Sequence, residues 1–273
     1  MLSMLKLLTT VAVLSSALYA NAIDDKVLAF EKKRVSANPR VEIEEVSLFL
    51  KKETSVKGWN GYVFNIKAKV QGKSINAKDI VFSDGNAIAP ELLDIKTGMS
   101  LKSQMVPNIT KKYYDEKHLI AGTHNAKNKI VVFSDPLCPF CLDLMPDMIK
   151  HVNKYPTNTA IYYYHFPLLR IHPAAGPLSK IMVIAEQKGV KDVTLKTYEG
   201  DFEKYFSVNE ADTQKILDAA NKVLGTNITL EEVNKISLEK DIKMGEDMMV
   251  QGTPTVYVNG KLDNTRIKYE SLK

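Results

Sequence analysis

Two cysteines occur among 273 residues, three positions apart in Cys138-Pro139-Phe140-Cys141. Thiols at this spacing can open and close a disulfide, supply half of a zinc site, or anchor a haem. Zinc needs two further ligands of suitable geometry. There is no second cysteine pair, and among His118, His124, His151, His165 and His172 the one close pairing is His118 with His124, upstream of the thiols. Haem attachment needs a histidine directly after the second cysteine, where this chain has Leu142. A structural staple is poorly motivated, because cross-linking gains least when the loop it closes is short. Reversible disulfide chemistry remains, and no cofactor or metal is expected with it.

The neighbouring residues suit that chemistry. Lys129-Ile130-Val131-Val132-Phe133 is a continuous apolar run, as in a strand buried on both faces. Ser134-Asp135-Pro136-Leu137 reads as a turn that aims Cys138, and a helix is expected from Cys138 to about Asn153. At a helix start, free backbone N–H groups and the positive end of the dipole stabilise a thiolate. A thiol of ordinary pKa about 8.5 can fall there to roughly 3.5–7.5. Cys138 is therefore expected to be the exposed nucleophile. Cys141, one turn further on, is expected to be the buried thiol that forms or resolves a disulfide. Pro139 suits the first helical turn, where its missing N–H would be unpaired anyway.

The rest of the chain falls into two parts. Asp24 to Ala37 has the pattern of an amphipathic helix. From Val41 to about Ile95 apolar and polar residues alternate, with turn signals at Gly58-Trp59-Asn60-Gly61, Gln71-Gly72-Lys73 and Asp84-Gly85-Asn86. That predicts a small antiparallel sheet. Ser100 to Lys117 is polar, lysine-rich and interrupted by Pro107, and reads as a linker. After the cysteines come a strand at Thr159–Phe166 and helices at Leu178–Lys188, Lys191–Phe206, Ala211–Leu224 and Leu230–Val250. Thr229 and Glu232 make a capping box for the last of these. Thr255-Val256-Tyr257-Val258 is expected to be a strand, and Asn259-Gly260 a tight hairpin turn. Strand–helix–strand, helical insert and strand–hairpin together give an α/β layout.

These motifs resemble the thioredoxin-fold oxidoreductases, and within them the bacterial periplasmic Dsb proteins. The likeness rests on Val131-Val132-Phe133-Ser134-Asp135-Pro136 before the cysteine pair and on Gly252-Thr253-Pro254-Thr255 near the C-terminus. It covers about Lys129 to Gly260. The resemblance implies that Pro254 is cis beside the disulfide, and that Pro146 kinks the active-site helix. It also implies that Thr253 and Pro254 bind substrate through the main chain, while Pro139 and Phe140 tune the thiols. Cys141 and Pro254 are 113 positions apart, against the roughly 30 residues of a whole βαβ unit. The surplus is a helical insert, as in Dsb proteins. Thr253 and the N-terminal sheet resemble the DsbC and DsbG branch. Two departures stand out. Val132 occupies the strand position that carries a buried acid in thioredoxin and DsbA-like proteins, so proton transfer to Cys141 must use another group or water. Phe140 replaces the histidine of the strongest oxidants and implies a milder potential. The family's last helix is also expected to be short here.

Composition is that of a globular protein, 45% hydrophobic and 25% charged. Lys and Arg exceed Asp and Glu by 37 to 32. That excess is spread along the chain and gives no reason to expect nucleic acid as a partner. Met1–Lys6, the apolar Leu7–Leu18 and Ala20-Asn21-Ala22 read as a signal peptide cleaved after about Ala22, so a periplasmic location is expected. The domain plan is 1–22 signal peptide, 23–99 N-terminal dimerisation domain, 100–120 linker, and 121–273 thioredoxin-like catalytic domain with a helical insert over about 175–250.

The expected activity is thiol–disulfide interchange of DsbC/DsbG type in exported proteins: isomerising, reducing or oxidising. A DsbA-like dithiol oxidase and a holdase chaperone with secondary redox activity are the alternatives. Expected partners are misfolded exported proteins with cysteines, a membrane redox partner, and a second copy of the chain in a homodimer.

Overall fold

The computed structural model describes residues 22–273, so the expected signal peptide lies outside the described residues except for Ala22. The described chain divides into two compact units between Val106 and Pro107.

The first unit begins with helix α1, residues 22–36. Strands β1 (Val41–Glu53), β2 (Asn60–Val70), β3 (Lys73–Ser83) and β4 (Ile88–Ala89) follow, paired antiparallel in the order β1-β2-β3-β4. Alternation along β2 turns Tyr62, Phe64, Ile66 and Ala68 to one face, where they pack with Val27 of α1. The β2–β3 hairpin turns at Gln71 and Gly72, both in the left-handed region, as a tight primed turn demands. Gly61 is required by close packing, since a Cβ there would stand 2.0 Å from Met105 Sδ. Arg34 holds the fully buried Glu31 at 2.7 Å and also pairs with Asp79 of β3, which ties the helix to the sheet. β1 is an edge strand whose register shifts twice, between Ile43 and Glu45 and between Leu48 and Leu50.

Residues 100–120, expected as a linker, are folded. They form 3-10 turns at Leu101–Gln104, Lys111–Tyr113 and Glu116–His118 and lead into strand β5 (Leu119–Ala121). Leu101, Met105, Ile109 and Tyr113 recur at every fourth position and are all buried. Leu101 and Met105 belong to the first unit, Ile109 and Tyr113 to the second.

The second unit is an α/β fold of the thioredoxin type, as the sequence predicts. Its sheet runs β5-β7-β6-β8-β9, with β6 (Asn128–Ser134), β7 (Thr159–His165), β8 (Thr255–Val258) and β9 (Lys261–Leu262). β6 and β7 are parallel, joined through α2 (Pro139–Lys154), and the other pairs are antiparallel. Both faces are covered, which is why β6 and β7 read as unbroken apolar runs. Ile130, Val132, Ile161 and Tyr163 face α2 and the insert. Val131, Phe133, Tyr162 and Tyr164 face Tyr113, Tyr257 and Met248.

The insert holds α3 (Ala175–Gln187), α4 (Val193–Glu199), α5 (Thr213–Leu224), α6 (Leu230–Lys235) and α7 (Glu239–Asp247). Two helices are shorter than the sequence suggested. α4 stops before Gly200, and the single helix expected over Leu230–Val250 breaks at Ile236, which is extended (φ −85°, ψ 132°). Ser237 Oγ then accepts the Glu239 N–H at 3.2 Å, restarting the helix. The expected capping box of Thr229 and Glu232 is present on α6. The last element is one 3-10 turn, Lys268–Ser271, whose Tyr269 packs edge-on against His151 of α2 at 5.6 Å.

Candidate dithiol active site

β6 ends at Ser134, and the turn Asp135–Leu137 delivers the chain to α2. Cys138 is the N-cap of α2 in extended conformation (φ −75°, ψ 123°), with Pro139 in the first turn. The N–H groups of Cys141 and Leu142 both donate to the Cys138 carbonyl at 2.9 Å, so the two sulfurs sit on successive edges of one turn. Pro146 lies inside α2.

The turn is built around Asp135, which is fully buried. Its Oδ1 accepts from Leu137 N at 2.8 Å. Its Oδ2 accepts from Leu168 N at 2.8 Å and from His172 Nδ1 at 2.9 Å. A buried carboxylate without such donors would be costly. With them it fixes both the approach to Cys138 and the loop 166–173. Leu169 and Ile171 of that loop are exposed, as is Phe140 at 67%.

Both cysteines are free thiols. Cys138, expected to be exposed, retains 4% exposure and Cys141 none. The cover is the loop before β8, where Thr253–Pro254 is a cis peptide and the Cys138 thiol donates to the Thr253 carbonyl at 3.4 Å. The Thr253 hydroxyl is buried and acts on the Cys138 sulfur without a hydrogen bond of ordinary geometry.

The two thiols are electrostatically unequal. A hydrogen bond from Cys141 holds the Cys138 pKa well below the ordinary thiol value. The Thr253 side chain and the N–H groups of Cys141 and Phe140 add to this, against burial. Burial first, and then the Cys138 neighbour, push Cys141 far up, opposed by the Asp135 N–H and the Ser134 hydroxyl. One sulfur is thus prepared to attack and the other to hold its proton until needed.

Thus Cys138, Cys141, Pro139, Phe140, Thr253 and Pro254 lie together at one end of the sheet. Asp135 and His172 join them. Sequence reasoning assigns Asp135 to the turn that aims Cys138 and finds no partner for His172; that partner is 37 residues away, and no local pattern marks it. His165 is buried at the end of β7, held neutral because burial lowers its pKa to about 3. Among the described residues no helix is long and apolar enough to cross a membrane.

A parallel β–α–β core with a dithiol at the helix start and a cis-proline loop over it defines the thioredoxin class. A family model described as thioredoxin matches residues 114–273, more than half of the chain, and the chain belongs to that family of thiol–disulfide oxidoreductases. No curated protein matches it. Among solved structures it is similar to DsbA2 of Pseudomonas aeruginosa, at 18% identity and a TM-score of 0.40, covering 54% of this chain and 84% of that one. ScsC of Proteus mirabilis, in a transitional conformation, gives 19% and 0.43 over 59% and 71%. A periplasmic thioredoxin-like protein of Salmonella enterica serovar Typhimurium gives 21% and 0.44 over 56% and 87%.

Proposed function

We propose that this protein is a periplasmic thiol–disulfide interchange protein of Dsb type, acting on exported proteins, with Cys138 as nucleophile and Cys141 as resolving thiol. The observation that carries the reading is the inequality of the two sulfurs within one helical turn. The Cys138 thiolate attacks one sulfur of a client disulfide, and the other client sulfur leaves as a thiolate. A client thiolate can then attack the mixed disulfide and release a rearranged client, with no net electron transfer. Alternatively Cys141 attacks Cys138 sulfur, so that the client leaves with both sulfurs reduced and Cys138–Cys141 closes. The reverse sequence oxidises a client dithiol.

Thr253 and Pro254, over Cys138, would hold an extended client strand by main-chain hydrogen bonds. The exposed Phe140, Leu169 and Ile171 suit unfolded segments rather than one shaped ligand. The same apolar surface supports a secondary holdase role. Pro139 and Phe140 set the environment of the pair, and the uncharged Phe140 favours a milder potential than a histidine would. Export rests on the N-terminal sequence. A homodimer through residues 23–99 is favoured by the small core of that segment and by the outer edge of β1, which pairs with no strand among the described residues.

The test is reshuffling of a small protein with scrambled disulfides. Wild-type protein should restore its native pairs, and Cys138→Ala should not. Activity that survives in Cys138→Ala overturns the reading. Thiol trapping in cells then separates the directions: a mostly reduced pair marks an isomerase or reductase, a mostly oxidised one a DsbA-like oxidase.

A further inference from the structure

To attack a mixed disulfide at Cys138, Cys141 must first become a thiolate, and burial opposes that. Among the described residues no carboxylate hydrogen-bonds to Cys141. Val132 is fully buried on β6, and the carboxylate of Asp135 is committed to Leu137, Leu168 and His172. What lies beneath Cys141 instead is a row of three hydroxyls from three elements: Ser134 of β6, Tyr198 of α4 and Tyr163 of β7. Ser134 Oγ is 2.7 Å from Tyr198 OH, and Tyr198 OH is 2.9 Å from Tyr163 OH. All three residues are buried, Tyr163 and Tyr198 pack in the same core as Cys141, and the Ser134 hydroxyl draws the Cys141 pKa down against burial.

Each hydroxyl carries one proton, so the row can be polarised in a single direction, each member donating to the next. We propose that Tyr163, Tyr198 and Ser134 form a donor chain that stabilises the Cys141 thiolate and thereby sets how fast Cys141 releases a client from Cys138. The inference rests on the thiol–disulfide reading above. In the step concerned, Cys141 sulfur bonds to Cys138 sulfur and the Cys138–client S–S bond breaks. The client sulfur leaves with the electron pair and takes up the proton that Cys141 lost. The chain gives up no proton; it turns its hydroxyls toward the anion. Chains of hydrogen bonds polarise one another in a low dielectric, so the far hydroxyl strengthens the near one.

The charged and titratable surroundings agree. Burial raises both tyrosines well above their ordinary value, so they stay protonated as donors. Of the negative charges that act on Tyr163, Cys141 weighs most, ahead of Asp135 and Glu186, and Glu186 is itself pushed up to about 7 by burial. The neutral ring of His165 stands edge-on to Tyr163 at 4.8 Å, and His172 is held by Asp135.

The experiment mixes reduced protein with an aryl disulfide that has a chromogenic thiol leaving group. Attack by Cys138 releases the first chromophore, and attack by Cys141 releases the second from the mixed disulfide. In Tyr198→Phe the first release should be unchanged, and the second should slow about tenfold at neutral pH, the size of one hydrogen bond lost from the chain. The difference should close at high pH, where Cys141 ionises unaided. Tyr163→Phe should slow the second release in the same sense by less. Superimposable second-release profiles overturn the inference, as does an equal slowing of both releases, which marks a packing role. No first release in the wild-type protein overturns the thiol–disulfide reading itself, and the inference falls with it.

Discussion

His172 Nδ1 lies 2.9 Å from Asp135 Oδ2, joining the loop after β7 to the turn that aims Cys138. Both residues are buried, so the pair is shielded from solvent. Its side chains control the geometry of the turn, while the Asp135 N–H acts on the Cys141 sulfur.

Replacing Asp135 with Ala removes the acceptor for three donors at once. Breaking one side of a buried pair costs about 3–5 kcal/mol. A loss near the lower end of that range is expected, because a water in the space the carboxyl vacates can accept from the freed donors. Urea denaturation measures it; a change of under half a kcal/mol, read by the same slope, would remove Asp135 as the turn's organiser.

The pH dependence of the reduced protein has two limbs. Cys138 has a folded pKa below its unfolded value, so its contribution is complete above the ordinary thiol pKa of about 8.5 and is lost as pH falls through the folded value. Cys141 has a raised folded pKa, so its contribution is present below about 8.5 and is lost as pH rises beyond it. Stability of the dithiol form should therefore climb from acid toward mildly alkaline pH and then decline, and a disulfide-bonded form should lack both limbs. Thermal melts of the two forms across pH check this. Thiolate absorbance of single-cysteine variants assigns the limbs, and a low midpoint on Cys141 rather than Cys138 would reverse the roles.

Phe140 is exposed, so Phe140→His should cost little stability. A protonated ring beside Cys138 stabilises its thiolate and hence the reduced pair. The reduction potential should rise by some tens of millivolts, about 30 mV per 1.4 kcal/mol. Equilibration with glutathione buffers reads the shift. An unchanged or lower potential would mean that position 140 does not tune the pair.

Mature protein should sediment as a dimer at micromolar concentration, and a chain beginning at Pro107 as a monomer that keeps dithiol exchange but loses most isomerisation. A monomeric mature chain would sink the dimer and favour a lone oxidase.

The parts of the molecule readable from sequence are those fixed by local rules. The apolar run of β6, the proline after Cys138 and the hairpin turns at Gln71-Gly72 and Asn259-Gly260 each name their own conformation. The break at Ile236 did not, because Leu230, Val233 and Ile236 keep a helix-like apolar spacing; Ser237, two residues before Glu239, was the available sign of a new N-terminus. Residues 100–120 misled through their lysines, although Leu101, Met105, Ile109 and Tyr113 kept a four-residue apolar period. Tyr163 and Tyr198 gave no signal at all. Their hydroxyls meet only when a strand and an insert helix 35 positions apart come together.

The hydrogen bond that covers Cys138 runs from its thiol to the carbonyl of Thr253, 115 residues further along the chain. The thiols themselves need only one helical turn to meet. Loop-closing entropy and contact order both delay the distant partner relative to the local one. During folding there is thus an interval in which the pair can already exchange electrons while nothing yet screens it. Refolding in the presence of an alkylating agent should modify Cys138 far more readily than native protein allows, and the decay of that window should time the docking of the strand that begins at Thr255.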